Sequence, residues 1–175
     1  TRAGPDGAMF ALEDQNRARW DRAKIAEGAA LLEEILPRLR LGPYQLQAAI
    51  SAVHAQSPSW AQTDWQQIAA LYDLLYRFEP SAVVRINQAI AVSFAQSVEA
   101  ALEMLDEVSS DGQLERYQPY FAARADLLIR DSRTEEARAC LETAIGLSKN
   151  DLERDFLERK RDALSDLPPR RPPCA

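Results

Sequence analysis

A chain of 175 residues, 46% of them hydrophobic, is long enough to form a domain with its own core. Its formal net charge of −6 repels nucleic-acid phosphates, so we do not expect the chain alone to bind DNA. No apolar stretch approaches the roughly 18 residues needed to cross a bilayer, and no secretory signal is recognisable, so a cytoplasmic location and no membrane partner are expected.

The first predicted element, residues 1–20, is an extended strap that leads into the first helix. A turn signal at Gly4-Pro5-Asp6-Gly7 precedes three apolar residues, which need a surface to lie against. From about Asn16 the apolar residues follow helical spacing, and this first helix is expected to stop near Pro37.

Seven further helices are predicted within residues 21–165, for about eight in all, and each of these seven except the sixth helix of the chain begins at a residue that favours a helix start. In chain order the seven starting residues are Pro43, Thr63, Ser81, Ser97, Tyr117, Thr134 and Asn150. Aromatic residues make up only 7% of the chain, which favours helices packed through small side chains. Residues 166–175 are rich in proline and are expected to be a disordered tail.

Alternate helices share apolar residues at positions i, i+4 and i+7. The triads that begin at Ile68, Ala101 and Ala137 start 33 and 36 residues apart. The intervening triad at Asn87 is answered 34 residues later by one at Phe121. This period is that of tetratricopeptide repeats, so the predicted fold is all-α, a tetratricopeptide-like helical repeat that forms an α-α superhelix.

Residues that carry chemistry are sparse. We recognise no catalytic, cofactor-binding or metal-binding constellation, so the chain is not expected to be an enzyme. His54 is the one histidine and is interpreted as a hydrogen-bonded structural residue. Cys140 and Cys174 are expected to be reduced thiols.

Two tryptophans stand in informative surroundings. Charges of both signs surround Trp20, which indicates either a capped, salt-bridged helix start or a docking surface. Trp65, at the start of the third helix, either fills a gap against the preceding helix or anchors a partner, and packing is the favoured interpretation.

Several strings, taken in order and spacing, resemble the signature of one group of extracytoplasmic-function (ECF) sigma factors of bacterial RNA polymerase. They are Glu13-Asp14-Gln15-Asn16-Arg17-Ala18-Arg19-Trp20-Asp21-Arg22-Ala23, Gly42-Pro43-Tyr44-Gln45-Leu46-Gln47-Ala48-Ala49-Ile50, Thr63-Asp64-Trp65 with Ile68 and Tyr72, Val83-Val84 with Asn87, Ala89 and Ala91-Val92, and Ala122-Ala123-Arg124-Ala125-Asp126-Leu127-Leu128. Asn16 and Ala18 depart from the aspartate and serine usual in that group.

The resemblance implies a helical-repeat extension that follows two sigma domains, which read the promoter and dock on the polymerase and are missing here. The implied function is regulatory, through contact with the sigma domains of the same polypeptide and/or the RNA polymerase core. Promoter DNA would be bound only through the missing domains. The alternative is a stand-alone tetratricopeptide-like scaffold that binds a peptide of an unrelated partner.

The predicted partner-contact residues lie in the charged segment around Trp20 and on first-of-pair helices. They are Glu13, Asp14, Gln15, Arg17, Trp20, Asp21, Arg22, Gln45, Gln47, Asn87 and Arg124. Alanine at Arg17, Trp20 or Arg124 is expected to lower promoter activation without unfolding the domain.

Overall fold

The computed structural model describes residues 9, 11–35, 41–110, 112 and 114–164. Within them the structure consists of eight α-helices, two 3-10 turns and connecting segments, which confirms the all-α class. The predicted turn at residues 4–7, the helix stop near Pro37, the thiol of Cys174 and the tail at 166–175 lie outside the described residues.

The helices follow one another through short connections. Their bounds are α1 Arg22–Ile35, α2 Pro43–Gln56, α3 Trp65–Phe78, α4 Ala82–Ala95, α5 Val98–Val108, α6 Gln118–Arg130, α7 Thr134–Leu147 and α8 Asp151–Ala163. The 3-10 turns are Arg17–Arg19 and Leu114–Arg116.

Three predicted helix starts carry the expected side-chain cap. The Ser81 hydroxyl accepts a hydrogen bond from the Val84 amide at 3.3 Å, and the Ser97 hydroxyl accepts one from Ala100 at 3.1 Å. Asn150 Oδ1 accepts from the Leu152 amide at 2.9 Å. Each bond satisfies an amide that has no partner within its helix, so these local predictions are confirmed.

Two predicted caps are wrong by one residue. Asp64, not Thr63, caps α3, because its carboxylate accepts from the Gln67 amide at 2.9 Å. The Thr63 hydroxyl is buried and donates to the Ser59 carbonyl at 3.2 Å instead. At α7 the cap position is Arg133, and Thr134 is the first helical residue.

The first helix begins later than predicted. Asn16 caps the 3-10 turn, where its side chain accepts from the Ala18 amide. The α-helix starts at Arg22, since Asp21 caps it by accepting from the Lys24 amide at 3.1 Å. Asn16 therefore caps only the 3-10 turn, and Asp21 caps α1.

The chain divides into two compact units. The first, residues 10–108, contains α1 to α5, and α2, α3, α4 and α5 pack as successive neighbours around one core. That core consists of Leu46, Ile50, Ile68, Ala69, Leu75, Val84, Ala91 and Val92. Helix α1 lies against α2, and none of its described side chains is fully buried.

The second unit contains α6, α7 and α8, with α7 packed against both of the others. Its buried residues include Leu128, Ala137, Leu141 and Leu157. An ion pair between Lys160 and Asp126 joins α8 to α6.

Helix α6 ends in a turn that the sequence pattern did not indicate. The Arg133 amide bonds the Leu128 carbonyl at 2.8 Å, and the Ser132 amide bonds the Ile129 carbonyl at 3.0 Å. This pair of bonds is the Schellman motif, which requires a left-handed residue just past the helix end. Ser132 takes that conformation with φ 60°, at a position where glycine is usual.

Residues at corresponding places of the predicted repeat are buried alike. Ile68, Ala101 and Ala137, the first members of the three triads, all have 0% relative exposure. The small residues Ala91 and Ala125 on the intervening helices have 1% and 0%. Small buried side chains let adjacent helices approach closely.

Candidate functional site

The charged segment around Trp20 is folded into consecutive turns. The Asp14 amide bonds the Ala11 carbonyl at 3.1 Å, and the Trp20 amide closes the 3-10 turn by bonding Arg17 at 3.2 Å. Asp21 then caps α1. The geometry of this segment directs Arg17 and Arg22 toward the C-terminal end of α2.

Arg17 is the central residue of this junction and is only 4% exposed. Its Nη1 donates to two backbone carbonyls, those of His54 and Ser57, each at 3.0 Å. Both carbonyls belong to the end of α2, where helix geometry leaves the last four without a partner inside the helix. A guanidinium also complements the negative end of the helix dipole.

Two other carbonyls at this helix end accept hydrogen bonds from neighbouring side chains. The Ser57 hydroxyl donates to the Val53 carbonyl at 2.7 Å, and Arg22 Nη1 reaches the Ala55 carbonyl at 3.5 Å. Arg22 Nη2 also lies 3.4 Å from the Arg17 carbonyl. Two arginines from one segment thus cap the end of a helix that follows them in the chain.

Aromatic rings surround the buried guanidinium and continue into the core of the first unit. The Arg17 Cζ lies 5.1 Å from the centre of the Trp20 ring and 6.0 Å from that of Trp60. The Trp65 ring is 4.5 Å from both Trp60 and Phe94. We call Arg17, Trp20, His54, Trp60, Trp65 and Phe94 the arginine–tryptophan cluster.

Trp65 therefore fills a gap against the residues that precede α3, which confirms the packing interpretation. Its ring contacts Trp60 from the α2–α3 connection and Phe94 from α4, and it lies partly buried against the core. Through these two ring contacts and the hydrogen bonds of Arg17, the cluster joins the segment before α1, the α2–α3 connection and α4.

Two polar atoms of the cluster are buried without a hydrogen-bond partner in the described structure, Arg17 Nη2 and His54 Nδ1. Burial, and then the charge of Arg22, lowers the pKa of Arg17 from its ordinary value. Burial, and then the charge of Arg17, lowers the pKa of His54. The prediction that His54 is structural through a hydrogen bond is corrected at Nδ1, since its ring instead packs 5.2 Å from Trp65.

These surroundings predict a pH dependence of stability. The folded state holds a proton on His54 more weakly than the unfolded chain does, where histidine titrates near 6.5. The stability that the folded state gains from a neutral His54 is therefore fully present above that pH and is lost as the pH falls below it. In urea unfolding at neutral and mildly acidic pH, the wild type should lose more stability on acidification than His54→Phe, which keeps a ring but cannot titrate. Equal losses would contradict the assignment.

The remaining predicted contact residues are distributed over both units. Glu13, Asp14 and Asp21 are exposed, and Gln15 is half-buried. On the first unit Gln47 and Asn87 are exposed and Gln45 is half-buried. The structure brings Arg17, Trp20 and Arg22 together at the end of α2.

Arg124 lies half-buried in the second unit, beside Cys140. Cys140 is a free thiol, and burial raises its pKa, an effect that a hydrogen bond and the charge of Arg124 partly offset. A thiol whose pKa is raised stays protonated and reacts slowly, which suits the predicted reduced state.

Sequence reasoning missed the roles of His54 and Trp60 in this site. The sequence does contain one signal, since Trp20, Trp60 and Trp65 lie on either side of α2 along the chain. No pattern within a short window, however, connects Arg17 to the carbonyl of His54, 37 residues away. In the described ranges no three histidine, cysteine or carboxylate side chains gather to hold a metal ion. The helices described there are also too short or too polar to span a bilayer.

The described residues thus form an all-α structure of packed helices, in which the arginine–tryptophan cluster encloses the buried Arg17 at the end of α2. The chain is 40% identical over 163 residues to an uncharacterized protein of Rhizobium meliloti (strain 1021). The match covers 93% of this chain and 38% of that protein, so the chain spans well under half of its relative's length. No protein-family model and no solved structure matches the chain.

Proposed function

We propose that the chain is the regulatory extension of an ECF sigma factor, folded as a tetratricopeptide-like repeat. It acts in the cytoplasm and contacts the sigma domains of its own polypeptide, the RNA polymerase core, or both. Through these contacts it modulates promoter-dependent transcription initiation. The extension itself carries out no chemistry and uses no cofactor.

The observation that carries this proposal is where the family-like strings fall in the structure. Arg17, Trp20 and Arg22 belong to the first string and hold the end of α2. Trp65 belongs to the third string and is the main aromatic contact between α3 and α4. Three of the six members of the arginine–tryptophan cluster, Arg17, Trp20 and Trp65, thus belong to strings that resemble the sigma-factor signature.

The burial pattern supports the tetratricopeptide-like fold. Corresponding residues such as Leu105 and Leu141 both have 0% exposure, although they lie in different units. A helix pair with one apolar stripe needs a neighbouring pair to cover it, and the repeat supplies that neighbour.

The length of the relative also supports the proposal. Its unmatched part is larger than its matched part, which leaves room for the two sigma domains that the resemblance implies. In one polypeptide, a short linker raises the effective concentration of two domains to the order of millimolar, so weak contacts suffice. A promoter-binding domain is basic as a rule, and a chain of net charge −6 attracts it.

The test uses the full-length native protein that contains this chain, with transcription by the core polymerase as the readout. Removing the chain should change promoter-dependent transcription, and so should Glu13→Lys combined with Asp14→Lys, since both residues are exposed and stand in the same charged segment as Arg17 and Trp20. The matched control is Glu27→Lys with Glu33→Lys, two exposed positions on α1. A native reading frame without sigma domains, or transcription unaltered by removal of the chain, contradicts the proposal.

A further inference from the structure

The outward face of α2 is uncharged, which is unusual for this protein. Charged residues make up 27% of the chain, and each of the other seven described α-helices contains at least one. Helix α2 contains no Asp, Glu, Lys or Arg, and its single histidine, His54, lies in its last turn. Four of the five exposed residues of α2 are spaced as one helical face, at i, i+3, i+4 and i+7, and are Tyr44, Gln47, Ala48 and Ser51; the fifth, Gln56, is the last residue of the helix.

This face is also apolar at one end. Tyr44 is 83% exposed, and Leu41, three residues earlier, is 44% exposed. Exposed helix faces ordinarily carry charged side chains, and a connected uncharged face that includes an aromatic ring is typical of a protein contact. The opposite face of α2 carries Leu46 and Ile50, which are buried in the core of the first unit.

We propose that this face of α2 binds the same face of a second copy of the chain, about a two-fold axis. In such a contact a residue near the axis meets its own counterpart, so any charge there faces a like charge. Two chains of net charge −6 repel each other over most of their surfaces. The uncharged face of α2 is where two copies approach without that repulsion.

The residue types on this face are complementary to themselves. Ala48 and Ser51 are small and allow close approach of two helices, whereas Tyr44 is a large side chain one to two turns away. In an antiparallel crossing, each Tyr44 ring covers Ala48 and Ser51 of the other copy. Gln47 lies near the axis, and its amide can both donate to and accept from the matching amide.

One polar group of the face is already satisfied within the helix. The Ser51 hydroxyl donates to the Gln47 carbonyl within α2 at 2.9 Å, so its proton already has an acceptor. The Ser51 proton therefore needs no new partner when water leaves. A helix of 14 residues is about 21 Å long. One such helix pair buries less area than a typical stable dimer, so association at a Kd on the order of 10 µM is expected.

Sedimentation equilibrium over concentrations that bracket this Kd tests the proposal. The mass of the wild type should rise from 19.6 kDa toward twice that value. Ala48→Glu should remain at the monomer mass, because it places two carboxylates at the centre of the contact. The matched control, Ala70→Glu, makes the same change at an exposed position of α3 and should dimerise like the wild type.

A charge exchange at Gln47 makes the test specific for a two-fold contact. Gln47→Glu and Gln47→Lys should each be monomeric, because like charges meet at the axis, and an equal mixture should recover the dimer mass. Circular dichroism confirms that each variant is folded, as expected for exposed positions. A wild type that stays at 19.6 kDa throughout, or a dimer that Ala48→Glu leaves intact, overturns the proposal.

Discussion

Trp65→Ala should lower the free energy of unfolding by about 3 kcal/mol, the low end of the range for truncating a core tryptophan, because the ring is partly buried. The Trp65 ring lies 4.5 Å from Trp60 and 4.5 Å from Phe94, and 5.2 Å from His54. Its removal leaves a cavity among three rings that come from different parts of the first unit. Arg17 also loses part of its shielding, because Trp60 is then no longer held in place.

Urea unfolding followed by circular dichroism measures this loss, since fluorescence changes with the tryptophan itself. Trp65→Phe should recover a large part of the stability, because a smaller ring preserves the contact with Phe94. Gln66→Ala, at the exposed neighbouring position, should change stability by less than about 0.5 kcal/mol. A loss for Trp65→Ala no greater than that of Gln66→Ala would show that the cluster does not hold the unit together.

The parts of the fold that sequence predicts well are those with local causes. Ser81 and Asn150 cap their helices through amides three and two residues away, so a short window contains the whole interaction. Thr63 fails because a stronger cap stands next to it, since Asp64 brings a carboxylate to the helix start. Thr134 fails because α7 begins at Thr134 itself, and Arg133 at the cap position makes no side-chain bond to a helix amide.

The end of α6 shows a different limit. Glycine is the usual signal for a left-handed residue after a helix, and Ser132 occupies that position with φ 60°. The energetic cost of a side chain there is offset by two hydrogen bonds that close the helix end. A sequence pattern identifies this conformation by its usual residue, glycine. It therefore misses Ser132, where backbone hydrogen bonds accompany the left-handed conformation without glycine.

The candidate site depends on contacts that sequence spacing does not reveal. Arg17, Trp20 and Arg22 were recognised as an unusual group, but their surroundings allowed either a helix start or a docking surface. The structure shows Arg17 bonded to carbonyls 37 and 40 residues away. It is therefore enclosed in the fold, whereas Glu13 and Asp14 in the same segment remain exposed.

This burial changes what alanine at Arg17 is expected to do. Arg17→Ala should lower the free energy of unfolding by about 2–4 kcal/mol, because hydrogen bonds to a charged group contribute about 1.5–3 kcal/mol. It leaves the His54 and Ser57 carbonyls without their donor at the negative end of a helix dipole. The earlier expectation, lower promoter activation with an intact fold, does not suit a residue that is 4% exposed.

The matched comparison is Arg19→Ala, in the same 3-10 turn but exposed, which should cost less than about 0.5 kcal/mol in urea unfolding. Arg17→Lys separates charge from geometry. Lysine keeps the positive charge near the helix end, but it lacks the planar guanidinium that sits over the Trp20 ring. Its loss should fall between those of Arg17→Ala and Arg19→Ala. If Arg17→Lys is as stable as the wild type, the dipole charge is sufficient and the guanidinium geometry contributes nothing measurable to the junction.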